Sequence, residues 1–399
     1  MSPPSLPPVT ILCGFLGAGK TTLLNHLVRQ AEGRRWALVV NDVGAINLDA
    51  RLVVQNAATL ARPLDTRDLV ELGNGCVCCS NKDDLAETLM RLALEGTYDH
   101  LLIETTGVAE PRPLASLFLQ RNPFGRSVGD VARLSALVTV VDTPDFLRLW
   151  RTQGPTAPSR APAASGPRPL FELMLEQVEC ADILLLNKCD LATPTEADEL
   201  AAVLHALNPH ADLLRTEHGQ VMREWLLDRP RFDATGTLGG AAWIRELNAL
   251  APTTAIGHPA APTPPARPVA TRATPDYTTR YGLRSFVFQA RRPFVQERWQ
   301  ALLARGLPGI VRAKGFYWLR ERPDEMAFLS LAGGVLRHEW PNYWWATLVE
   351  QGRARLDERP PLIRALWQEP HGDRRQELVF IGVDFEEPAL RRALESCLA

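Results

Sequence analysis

The first 250 residues alternate short apolar runs with longer stretches whose apolar residues recur at helical spacing. The apolar runs predict strands at Val9–Cys13, Trp36–Asn41, Leu69–Leu72, Leu101–Glu104, Leu134–Asp142 and Ile183–Asn187. The stretches with helical spacing include Asp83–Leu94, Leu170–Val178 and Thr195–Leu207. Such alternation predicts an α/β fold with a mostly parallel, doubly wound sheet covered on both faces. A ligand of this sheet is expected at the carboxyl ends of the strands.

The same pattern divides the chain into domains. Residues 1–251 form the predicted α/β domain, with a Pro/Ala/Ser-rich insertion at residues 154–169 expected as a mobile surface loop. A Pro-rich stretch at residues 252–275 is typical of a semi-extended linker. Residues 276–399 then predict a smaller α+β domain, with strands at Ser285–Gln289, Gly315–Leu319, Met326–Leu331 and Leu378–Phe385 and helices at Phe294–Leu303 and Pro388–Leu398.

Composition narrows the class of protein. The 44 basic and 46 acidic side chains give a formal net charge of −2, which indicates no general attraction to nucleic acid or to an anionic membrane. No apolar run approaches the ~18 residues of a membrane span, and the start of the chain lacks the features of a signal peptide. Three of the seven cysteines fall within four positions, which favours a thiolate site in a reducing compartment over disulfides. We therefore expect a cytoplasmic protein.

The stretch GFLGAGKT, from Gly14 to Thr21, has the spacing of a phosphate-binding loop between a strand and a helix. Its glycines let backbone N–H groups surround phosphate oxygens, and the following helix adds its positive N-terminal end. Lys20 can reach the β- and γ-phosphates, and the hydroxyl of Thr21 can bind Mg²⁺. The residues expected to bind the nucleotide here are Gly14, Gly17, Ala18, Gly19, Lys20, Thr21 and Thr22.

Asn187, Lys188 and Asp190 follow an apolar strand in the pattern NKCD. A carboxylate at Asp190 can accept hydrogen bonds from the N1–H and the amino group of guanine, while Asn187 contacts the other edge of the base. Adenine lacks both donors and would leave Asp190 unpaired, at a cost of about 1–3 kcal/mol. The sequence therefore predicts GTP and GDP as ligands. The segment Thr216–Gly219 is a candidate to close over the base through its backbone N–H groups.

Glu104, Thr105, Thr106 and Gly107 end the strand LLIE. An acidic residue at this place can hold Mg²⁺ through water, and the N–H of Gly107 can contact the γ-phosphate. The alternative is a strand end that simply caps a helix near Pro113. We expect Glu104 to bind magnesium together with Thr21.

The cysteine cluster GNGCVCC is the second unusual stretch of the chain. Cys76, Cys78 and Cys79 can present two or three sulfurs to one soft metal ion. Zinc takes four ligands, so three thiolates leave a place for Asp42, water or an incoming ligand. A redox switch and inert buried cysteines are the alternatives.

Together, GFLGAGKTT, GNGCVCC, ETTGVAEP and NKCDL resemble, in this order, the CobW-type GTPases, a family of metal-handling proteins related to nickel-insertion GTPases. The later segments LPGIVRAKGFYWL and RRQELVFIGVDF resemble the C-terminal domain of the family, and the former resembles its zinc-limitation branch. The resemblance implies that one set of residues serves phosphate, Mg²⁺ and guanine, namely Lys20, Thr21, Glu104, Asn187 and Asp190. It implies that Cys76, Cys78 and Cys79 serve a metal.

The chain departs from the family in its switch segment NDVGAINLD, where the family usually has two glutamates. Asp42 keeps one carboxylate and is expected beside the γ-phosphate, but Ala45 stands at the second position and removes a metal ligand. The histidine-rich run of many members is also absent from the linker. No glutamine or arginine finger adjoins Gly107, so we expect slow GTP hydrolysis, with Lys20, Asp42, Glu104 and Gly107 as the catalytic set.

The hypothesis from the sequence is a GTPase that couples its nucleotide state to the loading or transfer of a transition metal, most simply zinc, for a metal-dependent client protein. Cobalt or iron for a cofactor or hydratase client is one alternative, because the sequence is a poor guide to metal identity. A non-catalytic sensor of GTP and zinc that regulates a partner is another. The formation of a homo-oligomer that depends on nucleotide or metal is a further alternative.

Overall fold

The computed structural model describes residues 6–31, 33–40, 69–71, 82–121, 125–153, 170–227, 230–232, 283–332, 335–359 and 361–399. These residues form two compact units. One lies within Met1–Leu149 and Arg168–Ile244, and the other within Trp150–Pro167 and Arg245–Ala399. The predicted insertion and the predicted linker lie outside the described residues, so both stay predictions.

A seven-stranded sheet forms the first unit, in the order β3-β2-β4-β1-β5-β6-β7. All of its strand pairs are parallel. Its strands are β1 Pro8–Cys13, β2 Trp36–Val40, β3 Leu69–Glu71, β4 His100–Glu104, β5 Arg133–Asp142, β6 Ile183–Asn187 and β7 Asp212–Arg215. The predicted parallel α/β sheet is therefore confirmed, and β1 lies at its centre.

The helices up to residue 227 connect these strands. They are α1 Lys20–Arg29, α2 Lys82–Leu94, α3 Pro111–Ser116, α4 Thr143–Gln153, α5 Leu170–Cys180, α6 Pro194–Leu207 and α7 Arg223–Leu226, with short 3₁₀ turns at Val128–Asp130 and Cys189–Leu191. Helix α6 begins at a capping box in which Thr193 and Glu196 bond to each other's backbone N–H, with Pro194 at its first position.

Both faces of this sheet are buried, which the strands show by alternation. In β1, Ile11 packs into one apolar core, which α2 and α3 cover, whereas Leu12 packs into the other with α1. Leu101 and Leu102 of β4 divide between the two cores in the same way. Continuous apolar runs are therefore needed in these strands, and this explains why the sequence showed them so clearly.

The second unit has an antiparallel five-stranded sheet in the order β11-β10-β9-β12-β8. Its strands are β8 Leu283–Ala290, β9 Ile310–Tyr317, β10 Glu325–Ala332, β11 Val335–Tyr343 and β12 Gln376–Val383. Its helices are α8 Gln296–Ala304, α9 Trp345–Glu350, α10 Pro361–Leu366 and α11 Glu387–Cys397, with a 3₁₀ turn at Leu356–Glu358. Aromatic side chains such as Phe288, Trp299 and Phe380 fill the core between the sheet and α8 and α11.

Two strands were not predicted. Strand β11 reads VLRHEWPNY, whose polar residues and proline hide the period-two pattern of an edge strand. Strand β7 is only four residues long and partly exposed.

Among the described residues, no helix combines the length and the apolar character that a membrane crossing requires.

Candidate functional site

Five neighbouring strands, β4, β1, β5, β6 and β7, bring their carboxyl ends to one edge of the parallel sheet. The ends of β1, β4, β6 and β7 each lead into a segment that the sequence singled out. The phosphate loop follows β1, the ETTG segment follows β4, NKCD follows β6, and Thr216–Gly219 follows β7. The parallel order therefore gathers predicted sites that are far apart in sequence.

The phosphate loop depends on glycine at its two ends. Gly14 has a φ of 138°, and a Cβ there would lie 2.3 Å from the carbonyl oxygen of Val140. Gly19 has a φ of 104°, and a Cβ there would lie 2.3 Å from Nδ2 of Asn187. Any side chain at either position would push the neighbouring strand away or distort the loop.

Lys20 lies inside this loop at the first position of α1. Its Nζ donates hydrogen bonds to the carbonyl oxygens of Gly14 at 2.9 Å and Phe15 at 3.2 Å, and the residue is 7% exposed. Helix α1 begins directly after Gly19, whose lack of a side chain leaves the helix N-terminus without a side-chain cap from that position. The loop thus combines an ammonium with a helix N-terminus, the two features that favour a bound anion.

Thr21 and Glu104 are in direct contact. The Thr21 hydroxyl donates a hydrogen bond of 2.6 Å to Oε1 of Glu104, which is 3% exposed at the end of β4. Hydroxyl and carboxylate oxygens are the hard ligands that Mg²⁺ prefers, alone or through water. The two residues that the sequence assigned to magnesium therefore lie together, and their chemistry fits that ion.

Gly107 packs against the phosphate loop from the β4 side. A Cβ on Gly107 would lie 2.5 Å from the backbone nitrogen of Leu16. Thr105 ties the start of the same segment to β1, because its backbone N–H and its hydroxyl both donate to the carbonyl oxygen of Leu12 at 3.1 and 3.0 Å. The predicted γ-phosphate contact thus lies beside the loop expected to hold that phosphate.

The side chain of Asn187 joins the two ends of the predicted nucleotide site. Its Nδ2 donates to the carbonyl oxygen of Ala18 at 2.8 Å, and its Oδ1 accepts from the N–H of Gly219 at 2.9 Å. Asn187 therefore fixes the phosphate loop and the Thr216–Gly219 segment relative to each other. Its predicted contact with the base stays a prediction.

Lys188 has an ionic partner that the sequence did not reveal. It adopts a left-handed backbone, with a φ of 59°, and its Nζ lies 2.6 Å from Oδ2 of Asp142. Asp142 is the last residue of β5, the strand beside β6. The only signal in the sequence was an aspartate at the end of an apolar strand, and the partnership became visible once the strand order was known.

Asp190 lies in the short turn after β6, and its side chain is 26% exposed. Nε2 of His218 lies 3.8 Å from its Oδ2, and the His218 side chain is 72% exposed. The Thr216–Gly219 segment therefore lies beside Asp190, and its closing over the base stays a prediction. One of its N–H groups, that of Gly219, is bonded to Asn187, and a histidine side chain that the sequence did not single out faces Asp190.

The predicted metal ligands Cys76, Cys78, Cys79 and Asp42, together with Ala45, lie outside the described residues, so the metal site stays a prediction. Within the described ranges, no group of three or more histidine, cysteine or acidic side chains could hold a metal. Cys13, at the entrance to the phosphate loop, is fully buried, and burial raises the pKa of its thiol to about 12. It is therefore protonated at neutral pH and unsuited to metal binding.

Comparison with known proteins gives matches over both units. Residues 8–215 match the family model for the CobW/HypB/UreG nucleotide-binding domain, and residues 283–398 match that for the cobalamin synthesis protein cobW C-terminal domain. "Zinc-regulated GTPase metalloprotein activator 1" of Dictyostelium discoideum is 33% identical over 402 residues, an alignment that spans 98% of this chain and 79% of that protein.

Two bacterial relatives match over a shorter region. "Zinc chaperone CobW" of Pseudomonas aeruginosa is 35% identical over 201 residues, which span 49% of this chain and 52% of the relative. "Zinc chaperone YjiA" of Escherichia coli is 30% identical over 219 residues, which span 53% of this chain and 58% of the relative. These alignments cover little more than half of each bacterial protein.

Proposed function

This chain belongs to the CobW/HypB/UreG family, and we propose that it is a GTP-hydrolysing metallochaperone that couples its nucleotide state to the binding and transfer of zinc. The observation that carries the nucleotide part is the position of Asn187, which bonds to both the phosphate loop and the segment beside Asp190. A single side chain thus holds together the loop proposed to bind phosphate and the segment proposed to border guanine. The names of the curated relatives support zinc as the cargo.

Binding of GTP would change the partners of Lys20. In the structure its ammonium bonds to the carbonyl oxygens of Gly14 and Phe15, within the loop whose N–H groups would surround the phosphates. Phosphate oxygens would replace these carbonyls as partners of the ammonium. Gly107 would offer its N–H to the γ-phosphate, so a triphosphate and a diphosphate would be told apart at this residue.

Thr21 and Glu104 would hold Mg²⁺, which would neutralise charge on the β- and γ-phosphate oxygens when bound. Their present hydrogen bond holds the two side chains together. The residue after Gly107 is Val108, which cannot orient an attacking water by hydrogen bonding. Slow turnover follows from this, as is usual for a GTPase without a polarising glutamine or arginine.

The metal part of the proposal rests on Cys76, Cys78 and Cys79, with Asp42 as a candidate fourth ligand. Thiolates suit zinc, and an incomplete ligand set suits an ion that must be handed to another protein. The client is a metal-dependent protein. Metal analysis of protein from zinc-starved cells tests the cargo, since cobalt or iron in place of zinc would favour the alternative clients.

Phosphate release tests the enzymatic part. We expect release from GTP, but not from ATP, that requires Mg²⁺ and is abolished by Lys20→Ala. Arg91→Ala is the matched control, because Arg91 is an exposed cation on α2 that pairs with Glu95 on the surface. Tight GTP binding without any phosphate release would instead favour a non-catalytic sensor.

A further inference from the structure

Gln177 is a buried polar side chain that the nucleotide motifs do not include. It lies on α5, is 1% exposed, and directs its amide toward the segment that follows β4. Its Nε2 donates to the carbonyl oxygens of Gly107 at 3.3 Å and Ala109 at 3.0 Å. Both hydrogens of one amide nitrogen are therefore used to hold one short loop.

The helix that carries Gln177 is itself fixed at this position. The hydroxyl of Thr139, on β5, donates a hydrogen bond of 2.8 Å to the backbone carbonyl of Gln177. One residue earlier, Glu176 pairs with Arg112 at 3.4 Å, just beyond the same loop. Helix α5 thus contacts the segment from Gly107 to Arg112 at two successive residues.

Gly107 needs such support because glycine has a wide range of backbone conformations. Its close approach to the backbone of Leu16 restrains it on the side of the phosphate loop. On the other side, the carbonyl of Gly107 and that of Ala109 are restrained by Gln177. These two contacts restrain Gly107 from both sides, and with it the position of its N–H, the group proposed to meet the γ-phosphate.

We propose that Gln177 is a positioning residue for the recognition of the γ-phosphate, which it serves by holding the loop from Gly107 to Ala109. The inference rests on the proposed GTPase function. Gln177 bonds the loop that would meet the γ-phosphate, so its loss weakens binding of the triphosphate. Affinity for GDP, which lacks the γ-phosphate, is left near its wild-type value.

The test compares the affinities of the purified full chain for GDP and for a non-hydrolysable GTP analogue. Gln177→Met keeps the volume of the side chain and removes its donors. We expect the preference for the analogue over GDP to fall by about fivefold. This is the effect of losing one ordinary hydrogen bond, here the one proposed from the Gly107 N–H to the γ-phosphate. An unchanged preference in a folded variant contradicts the inference.

Asn208, the residue that follows α6, provides a matched control because its side chain also bonds to the backbone at the end of α5. Its buried Nδ2 donates to the carbonyl oxygens of Val178 and Ala181, each at 2.8 Å, at the C-terminal end of α5. Asn208→Leu removes a comparable set of amide bonds and lowers the melting temperature, but it leaves the nucleotide preference unchanged. An equal loss of preference in both variants would reduce Gln177 to a stabilising role.

Gln177→Glu covers the case in which the methionine variant does not fold. A carboxylate facing two carbonyl oxygens repels them, whereas a protonated carboxyl group donates one hydrogen bond. The preference of Gln177→Glu for the analogue over GDP is divided by the wild-type preference at the same pH. This ratio should be higher at pH 5.5 than at pH 7.5. Equal values at the two pH values contradict the inference. If the wild-type chain binds neither nucleotide, the proposed function itself is wrong.

Discussion

Nδ2 of Asn187 donates a hydrogen bond of 2.8 Å to the carbonyl oxygen of Ala18, which joins the strand end beside the predicted base site to the phosphate loop. The same side chain accepts from the N–H of Gly219. The geometry of the phosphate loop and that of the base site are thereby linked through one buried residue.

Asn187→Ala should weaken GDP and GTP binding by similar factors, because it releases loops that contact parts common to both nucleotides. It also leaves the Gly219 N–H and the Ala18 carbonyl without this partner, so stability should fall by about 1–3 kcal/mol. Calorimetric titration with each nucleotide and a thermal melt measure the two effects. A variant that loses GTP affinity alone would show that Asn187 acts on the γ-phosphate instead.

Asp190→Asn should change the base that the protein prefers. The carboxylate matches the two donors of guanine, whereas an amide can donate to the carbonyl oxygen that replaces the amino group in xanthine. We expect GTP affinity to fall and affinity for xanthosine triphosphate to rise, with little change in stability because the side chain is partly exposed. Competition binding with both nucleotides measures the shift. Unchanged GTP binding would mean that the base lies elsewhere.

Glu104→Gln should uncouple magnesium from hydrolysis. The amide oxygen can still accept the hydrogen bond from Thr21, so the fold is preserved, but the negative charge that attracts the ion is lost. Removal of a partner that binds a metal through water costs about 10- to 100-fold in activity. Phosphate release measured across a Mg²⁺ titration should show a higher requirement for the ion. Nucleotide affinity in the presence of a chelator should stay at its wild-type value.

Gly19→Ala should weaken nucleotide binding by roughly 100-fold. The added Cβ would lie 2.3 Å from Asn187 Nδ2 at a φ of 104°, so the loop must shift. Displacement of a phosphate-binding group by about 1 Å costs on the order of 100-fold.

Gly33→Ala is the control for Gly19→Ala, since Gly33 also has a positive φ, 83°, but no atom within 4 Å of the added Cβ. We expect this control to lose about 1–2 kcal/mol of stability and to bind GTP normally. Loss of GTP binding in both variants would point to a general effect of backbone strain.

The parts of the fold that the sequence predicted are those with a strong local signal. The strands β1, β4, β5 and β6 are buried on both faces, so their apolar runs are continuous and their ends are marked by glycine or by polar motifs. Strand β11 lacks this signal because an edge strand tolerates histidine, glutamate and proline.

The parts of the site that were missed are relationships between distant residues. Lys188 meets Asp142 only because β5 lies beside β6, and Gln177 meets Gly107 only because α5 packs near the end of β4. Neither Asp142 nor Gln177 belongs to a motif with fixed spacing. The bonds of Asn187 were missed for the same reason, since they reach Ala18 and Gly219 across 169 and 32 positions of the chain.

The coupling of zinc to nucleotide is the central claim, and one set of measurements tests it. Zinc affinity is determined by chelator competition for the wild type and for Cys78→Ser, each with GDP and with a non-hydrolysable GTP analogue. We expect the wild-type affinity to differ between the nucleotides by about 5- to 150-fold, the usual range for coupled sites. Cys78→Ser should bind zinc more weakly and without regard to the nucleotide. Identical zinc affinities in all four cases would contradict the claim.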